Sequence, residues 1–123
     1  MSDHIFAVDD EPSLLRLIAL SLKTSGFNVA AFQSAKDALR EIADPRAPNP
    51  VALILDLNMP EMDGRQFYHA ARAAGLTSPV LILSAYGAEQ ARAEVGAEAA
   101  MSKPFESEML ITTIERLTGA GKK

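Results

Sequence analysis

Four places along the chain hold residue types that suit one chemistry. Asp9-Asp10-Glu11 follows one apolar run, Asp56 a second, Ser84 a third, and Lys103-Pro104 a short fourth. Carboxylates held within a few ångströms of one another repel, and some protonate unless a cation compensates. Mg²⁺ suits such a group, with Mn²⁺ as the alternative. It takes oxygen ligands at roughly 2.1 Å in an octahedron and keeps several waters. Two carboxylates, a backbone carbonyl and water would satisfy it, and a phosphoryl oxygen could replace one water. Lys103 adds a positive charge and Ser84 a neutral donor. Phosphoryl transfer needs mainly positioning and neutralisation of charge on the equatorial oxygens, and a carboxylate can act as covalent nucleophile.

Taken singly, each feature has a plainer meaning. Carboxylates at 9–11 would favour a helix N-terminus through its dipole. Asp56 would serve as a turn former, Ser84 as a structural hydroxyl and Lys103 as a solvated lysine. Met59 and Met62 are expected to be packing residues. His4 and His69, without convergent partners, are expected at the surface. What separates the two readings is whether the elements between these residues bring them to one place.

Short apolar runs alternate with longer amphipathic segments. Ile5 to Val8 suits a buried strand. A helix follows, with Pro12 in its first turn and Leu14, Leu15, Ile18 and Leu22 at helical spacing, ended by Gly26. Phe27 to Phe32 has the mixed pattern of an edge strand. Ser34 is an N-cap for a helix carrying Ala38, Leu39 and Ile42. The proline-rich stretch 44–50 is a loop. Val51 to Leu55, apolar throughout, suits a central strand covered on both faces. A loop over 58–64 leads to a helix with Phe67, Ala70, Ala71 and Ala74 inward, stopped by Gly75. Val80 to Leu83 is another apolar strand. A short helix over Ala88–Val95, with Ala88, Ala91 and Val95 inward, precedes Gly96. Ala99 to Met101 is a weak strand, and Glu106 to Leu117 a closing helix with Leu110, Ile114 and Leu117 on one stripe. Five strand–helix units predict an α/β fold, a doubly wound, five-stranded parallel sheet of flavodoxin-like (βα)5 type with strand order 2-1-3-4-5. In such sheets the site lies beyond the carboxyl ends of the strands. Asp9, Asp10, Glu11, Asp56, Ser84 and Lys103 would then share one shallow cleft.

With 123 residues the chain is expected to form one domain over 1–118, and 119–123 a flexible tail or the start of a linker. Hydrophobic residues make up 48 % and charged residues 23 %, as in soluble globular proteins. The net charge of −4 gives no basic surface for nucleic acid or an anionic membrane. No cysteine is present, which excludes disulfides, thiolate nucleophiles and thiolate zinc sites. The N-terminal residues lack the pattern of a secretory signal, and no apolar run approaches the ~20 residues of a membrane span. A cytoplasmic location is the expectation.

The run Val8-Asp9-Asp10-Glu11-Pro12, the stretch from Asp56 through Asn58, Met59 and Pro60 to Gly64, the pair Ser84-Ala85 and the triplet Lys103-Pro104-Phe105 resemble the bacterial response-regulator receiver domain, in particular chemotaxis-regulator-like members. The resemblance spans essentially the whole chain, in the family's order. It implies two-component signalling, with Asp56 accepting a phosphoryl group from a phosphohistidine on a histidine kinase or histidine phosphotransfer protein. Asp10 and Asp56 would bind the metal directly, Asp9 partly through water, and Asn58 through its backbone carbonyl. Ser84 and Lys103 would contact phosphoryl oxygens, the Lys103–Pro104 peptide would be cis, and Gly64 would make the turn into the third helix. Such a domain assists its own phosphorylation and dephosphorylation but is not a conventional turnover enzyme. Its output would be a change in protein contacts, to a downstream target or a fused domain that the sequence does not name.

Two departures from the family pattern concern signal relay. The position three residues before Lys103, usually Tyr or Phe, is Ala100. The segment from Ser84 to Lys103 is about three residues short, nearly one turn of a 3.6-residue helix, so a short, mobile or remodelled fourth helix is expected. Tyr86 is expected to flank the phosphate entrance and screen it from water. Three rival functions follow from the same residues. An aspartyl-phosphate phosphatase would need a second carboxylate beside the nucleophile, where Leu57 and Asn58 stand. A flavin carrier would need Ser, Thr and Gly where Asp9-Asp10-Glu11 would repel a cofactor phosphate. A degenerate receiver acting as a constitutive interaction module is opposed by the intact acidic set and favoured by Ala100.

Overall fold

The structure, a computed structural model, describes residues 4–47, 49–57, 59 and 62–119. Its five strands are β1 (His4–Val8), β2 (Asn28–Phe32), β3 (Ala52–Asp56), β4 (Val80–Ser84) and β5 (Ala99–Ser102). They alternate with α1 (Pro12–Lys23), α2 (Ala35–Ala43), α3 (Gly64–Ala73), α4 (Ala88–Val95) and α5 (Ser107–Thr118). All pairings are parallel and the order is β2-β1-β3-β4-β5, as the alternation predicts.

Side chains alternate between the two faces of each strand, and each face builds its own core. Phe6, Val8, Leu53, Leu55, Val80 and Ile82 pack under α2, α3 and α4. Ile5, Ala7, Ile54, Leu81, Leu83 and Met101 pack under α1 and α5. The central strands β3 and β4 are buried at every residue, whereas β2 is half-exposed and pairs only with β1. That is why β3 and β4 read as unbroken apolar runs and β2 does not.

Local signals account for the starts of the first three helices. Pro12 opens α1, where a missing N–H costs nothing. The Ser34 hydroxyl caps α2 by accepting from the Asp37 amide. Asp63 and Gln66 form a reciprocal capping box at the start of α3. The inward stripe of α1 is Leu15, Ile18 and Leu22, with Leu14 half-buried. Met59 is buried and Met62 packs against the same core, as expected of packing residues.

The structure moves three expected features. Asp56 and Ser84 are the last residues of β3 and β4 rather than the first beyond them, and Asp56 pairs in register with Leu83. Gly64, expected to make the turn into the third helix, is itself the first residue of that helix. An added Cβ would lie 2.8 Å from Leu57 Cα and 3.1 Å from the Asp56 carbonyl oxygen. Close packing of α3 onto the end of β3 demands glycine there. On α3, Phe67 and Ala71 are buried and Ala70 and Ala74 half-buried, but Tyr68 is buried as well.

Candidate functional site

The chain runs from β1 out to edge strand β2 and then back across β1 to β3, so the connections on either side of β1 and β3 diverge. In doubly wound sheets this divergence opens a crevice at the carboxyl ends of the two strands. Asp9 and Asp10 follow β1, and Asp56 ends β3. One carboxylate oxygen from each of Asp9, Asp10 and Asp56 falls within a group spanning at most 4.8 Å. Asp9 and Asp56 are buried, at 2 % and 4 % exposure, and Asp10 is exposed at the rim.

Lys103 reaches this group from the far side of β4. Its Nζ donates to Asp9 Oδ2 at 3.0 Å and to Asp56 Oδ1 at 3.1 Å. Its backbone is fixed by Lys103 N–H donating to the Ser84 carbonyl at 2.9 Å, and the Lys103–Pro104 peptide is cis. Asp9 Oδ1 accepts the Glu11 amide at 2.9 Å. Glu11 thus serves the site through its backbone, while its side chain points to solvent and accepts from the Ser13 hydroxyl.

Burial pushes the Asp9 carboxyl above its ordinary range. Repulsion from Asp56 adds to this, and the Glu11 amide and Lys103 only partly offset it. For Lys103, burial alone favours the neutral amine, but hydrogen bonds and charge from Asp9 and Asp56 outweigh it and raise the ammonium's pKa. Three carboxylates and one ammonium leave a formal charge of minus two, which a divalent cation balances.

The donor set fits a hard cation. Octahedral ligands at roughly 2.1 Å stand about 3 Å apart when adjacent and about 4.2 Å when opposite, close to the spread of these oxygens. Both Asp9 oxygens already accept hydrogen bonds, which suits contact through water. Among the described residues, Asp56 Oδ2 accepts none. Asn58, the expected backbone ligand, lies outside the described residues.

Ser84 is buried at 1 % exposure. Its hydroxyl donates to the Tyr86 carbonyl at 2.7 Å and accepts the Tyr86 amide at 3.2 Å, a closed turn after β4. Tyr86 is 86 % exposed and engages Ser84 by its backbone, not its ring. Pro104 lies beside Lys103 in a groove of about 350 Å³ that includes Glu11, Leu14, Leu17 and Phe105. His69 is exposed on α3 and His4 half-buried, and neither is in the acidic group. Sequence reasoning missed the Glu11 amide and the Ser84–Tyr86 turn.

A doubly wound sheet with paired acids at its switch point and a lysine across from them forms a site with the charges to hold a divalent cation beside an anionic group. The sequence matches the family described as response regulator receiver domain over residues 5–115, and the chain belongs to that family. It is 34 % identical over 119 residues to the transcriptional regulatory protein PrrA of Mycobacterium tuberculosis, covering 94 % of this chain and 50 % of that protein. It is 32 % identical over 120 residues to the transcriptional regulatory protein CssR of Bacillus subtilis, covering 95 % and 52 %. The chain therefore spans about half the length of these relatives. Among solved structures, the Vibrio cholerae chemotaxis protein CheY4 superposes with a TM-score of 0.81 at 29 % identity, covering 95 % of this chain and 99 % of that one. NtrX from Brucella abortus gives 0.83 at 28 % identity, covering 99 % and 28 %. The domain is thus a receiver of the two-component response-regulator type.

Proposed function

We propose that Asp56 is the phosphoacceptor and that the reaction is phosphoryl transfer from a phosphohistidine. Asp56 Oδ2 attacks phosphorus, the P–N bond breaks, and the bond's electron pair leaves on the imidazole. The observation that carries this reading is the convergence of Asp9, Asp10 and Asp56 with Lys103 Nζ 3.1 Å from Asp56. Asp10 and Asp56 would hold Mg²⁺ directly, with Asp9 contributing partly through water. The bound cation supplies charge neutralisation for the transferred group. Lys103 pairs with one phosphoryl oxygen, and Ser84 turns from Tyr86 to donate to another. Asp56 receives and releases the group without acting as a turnover enzyme.

The donor is a histidine kinase or histidine phosphotransfer protein in the cytoplasm. The result is altered protein contact, made by this domain over 1–118 or through a further domain beyond it. No helix among the described residues is long and apolar enough to cross a membrane, and the acidic balance gives no nucleic-acid surface.

Incubation with Mg²⁺ and a small phosphodonor tests the assignment. We expect Mg²⁺-dependent, base-labile incorporation that Asp56→Asn abolishes. Incorporation that survives in Asp56→Asn rules this residue out. Many turnovers of phosphate ester per protein would instead favour an aspartyl-phosphate phosphatase, and no label with no Mg²⁺ binding would favour a degenerate receiver.

A further inference from the structure

β2 ends the sheet and leaves one side of its backbone unpaired. Its register with β1 runs from His4–Asn28 to Val8–Phe32 without a bulge. The Asp9 amide donates to the Phe32 carbonyl at 3.1 Å, so the backbone of Phe32 faces β1. Backbone groups alternate in direction along a strand, which turns the amides and carbonyls of Val29 and Ala31 outward. Among the described residues, no strand pairs with that outer edge. Edge strands are commonly protected by a charge, a proline or a bulge. The run Asn28-Val29-Ala30-Ala31-Phe32 has none of these, and Ala31 is exposed.

α1 borders this edge. Two grooves of about 420 and 250 Å³ lie between α1 and β2 and share Ala19. Arg16 and Ala31 line the first, Lys23 and Val29 the second. Arg16, Ala19 and Lys23 stand at i, i+3 and i+7, one stripe of the helix. α1 carries no acidic residue, and neither Arg16 nor Lys23 forms an ion pair among the described residues. The acid at the rim, Asp37, is already paired with Arg40 at 3.2 Å. The edge thus offers main-chain bonds beside two unneutralised cations, with the small Ala19 between them.

We propose that the outer edge of β2 takes an extended acidic peptide segment of a partner protein as a sixth strand. Residues on one face of a strand recur about every 6.7 Å, so three of them span about 13 Å. Arg16 and Lys23 are two helical turns apart, about 10 Å, and their long side chains cover the difference. The pattern that fits is a carboxylate, a small residue and a carboxylate on one face, with Ala19 under the small residue. Main-chain bonds to Val29 and Ala31 hold the segment, and the two cations select it. A second copy of this chain fits less well. Two β2 edges paired antiparallel about a two-fold axis bring the Arg16 end of one α1 to the Lys23 end of the other, where like charges oppose. The contact requires neither Asp56 nor a phosphoryl group, so it stands apart from the phosphoacceptor reading.

NMR titration of the full chain with the acetylated, amidated peptide Thr-Glu-Thr-Ala-Thr-Glu-Thr tests this. Amide shifts should map to β2 and to the Arg16–Ala19–Lys23 stripe. At saturation, exchange at the Val29 and Ala31 amides should slow roughly fivefold, the effect of one hydrogen bond each. Arg16→Glu combined with Lys23→Glu, both on the exposed side of α1, should weaken this peptide about tenfold. The same double variant should gain binding of Thr-Lys-Thr-Ala-Thr-Lys-Thr, which the unsubstituted protein should not bind. Ala31→Pro removes an outward donor at a position where an edge strand tolerates proline, and should also weaken the acidic peptide. If that variant does not fold, the charge exchange on α1 still decides. No shift in β2 at millimolar peptide overturns the proposal. So does bound peptide with unchanged exchange at Val29 and Ala31, which would mean ion pairing without strand addition. Equal binding of the acidic and basic peptides overturns the charge selection. A dimer that forms with rising protein concentration and protects Ala31 without peptide overturns the peptide as occupant in favour of a second copy.

Discussion

Asp9 and Asp56 are two buried carboxylates that share one ammonium, so the metal-free site is electrostatically poor by construction. Burial raises the Asp9 pKa above its ordinary 3.8, so the folded protein holds that proton more tightly than the unfolded chain does. Stability from this group is therefore full below 3.8 and declines as pH rises through the elevated folded value. Asp9→Asn keeps an acceptor for the Glu11 amide, leaves Lys103 paired with Asp56, and removes the decline. In chelator at neutral pH we expect this variant to be more stable than the unsubstituted protein and to bind Mg²⁺ more weakly. Thermal unfolding between roughly pH 4 and 7 should show the gap widening with pH. A flat gap, or a less stable variant, would rule out desolvation as the dominant effect. The acids, Ser84 and Lys103 were legible in the sequence because each follows an apolar run and carries a side chain suited to the chemistry. The Glu11 amide on Asp9 and the Tyr86 backbone on Ser84 were not, because backbone groups are the same at every position.

Among the elements, α3 follows β3, which ends in Asp56, and touches the end of α4 through Arg65 and Tyr68, and its first residue sets the fit. The Gly64 amide donates to the Leu57 carbonyl at 2.7 Å, and a Cβ would meet backbone atoms of Leu57 and Asp56 that cannot turn aside. Helix propensity alone favours Gly64→Ala by about 1 kcal/mol. Overpacking against fixed backbone costs about 1–3 kcal/mol, and here it wins. We expect net destabilisation of up to about 2 kcal/mol in urea unfolding, with slower phosphoryl incorporation because the end of β3 shifts. A stabilised variant would mean that α3 can slide away from Leu57 at no cost. The glycine itself was legible, but its reason was not: a turn and a close approach both call for glycine, and only the packed helix separates them. Tyr68 was missed for a related cause. It sits about 100° round the helix from Phe67, off the inward stripe, and its hydroxyl reaches the Gly96 carbonyl at the end of α4. The eight-residue length of α4, by contrast, follows directly from the short segment between Ser84 and Lys103.

At the scale of the whole molecule, the strand order places the site where it is. Each buried acid hangs from a different central strand, so the cluster exists only when β1 and β3 lie side by side. Strand order, and with it the meeting of the acids in one cleft, was legible because the five-fold alternation and right-handed crossovers leave few topologies; the 4.8 Å spread of their oxygens was not, since it depends on register between strands some fifty residues apart in the chain. A cation that binds this cluster binds the folded state and not the unfolded chain, so Mg²⁺ should stabilise the entire domain. At a free concentration a hundredfold above its dissociation constant the gain is about 2.7 kcal/mol. For a domain of this length that corresponds to a rise in Tm of about 10 °C. The rise should saturate with Mg²⁺, vanish with chelator, and be absent with Na⁺ at matched ionic strength, which separates site binding from screening. Asp10→Asn should lose most of it while leaving the chelated protein's Tm nearly unchanged, because Asp10 is exposed and its charge is not part of the core. An equal rise in Asp10→Asn would mean that Mg²⁺ stabilises the fold somewhere other than the ends of β1 and β3.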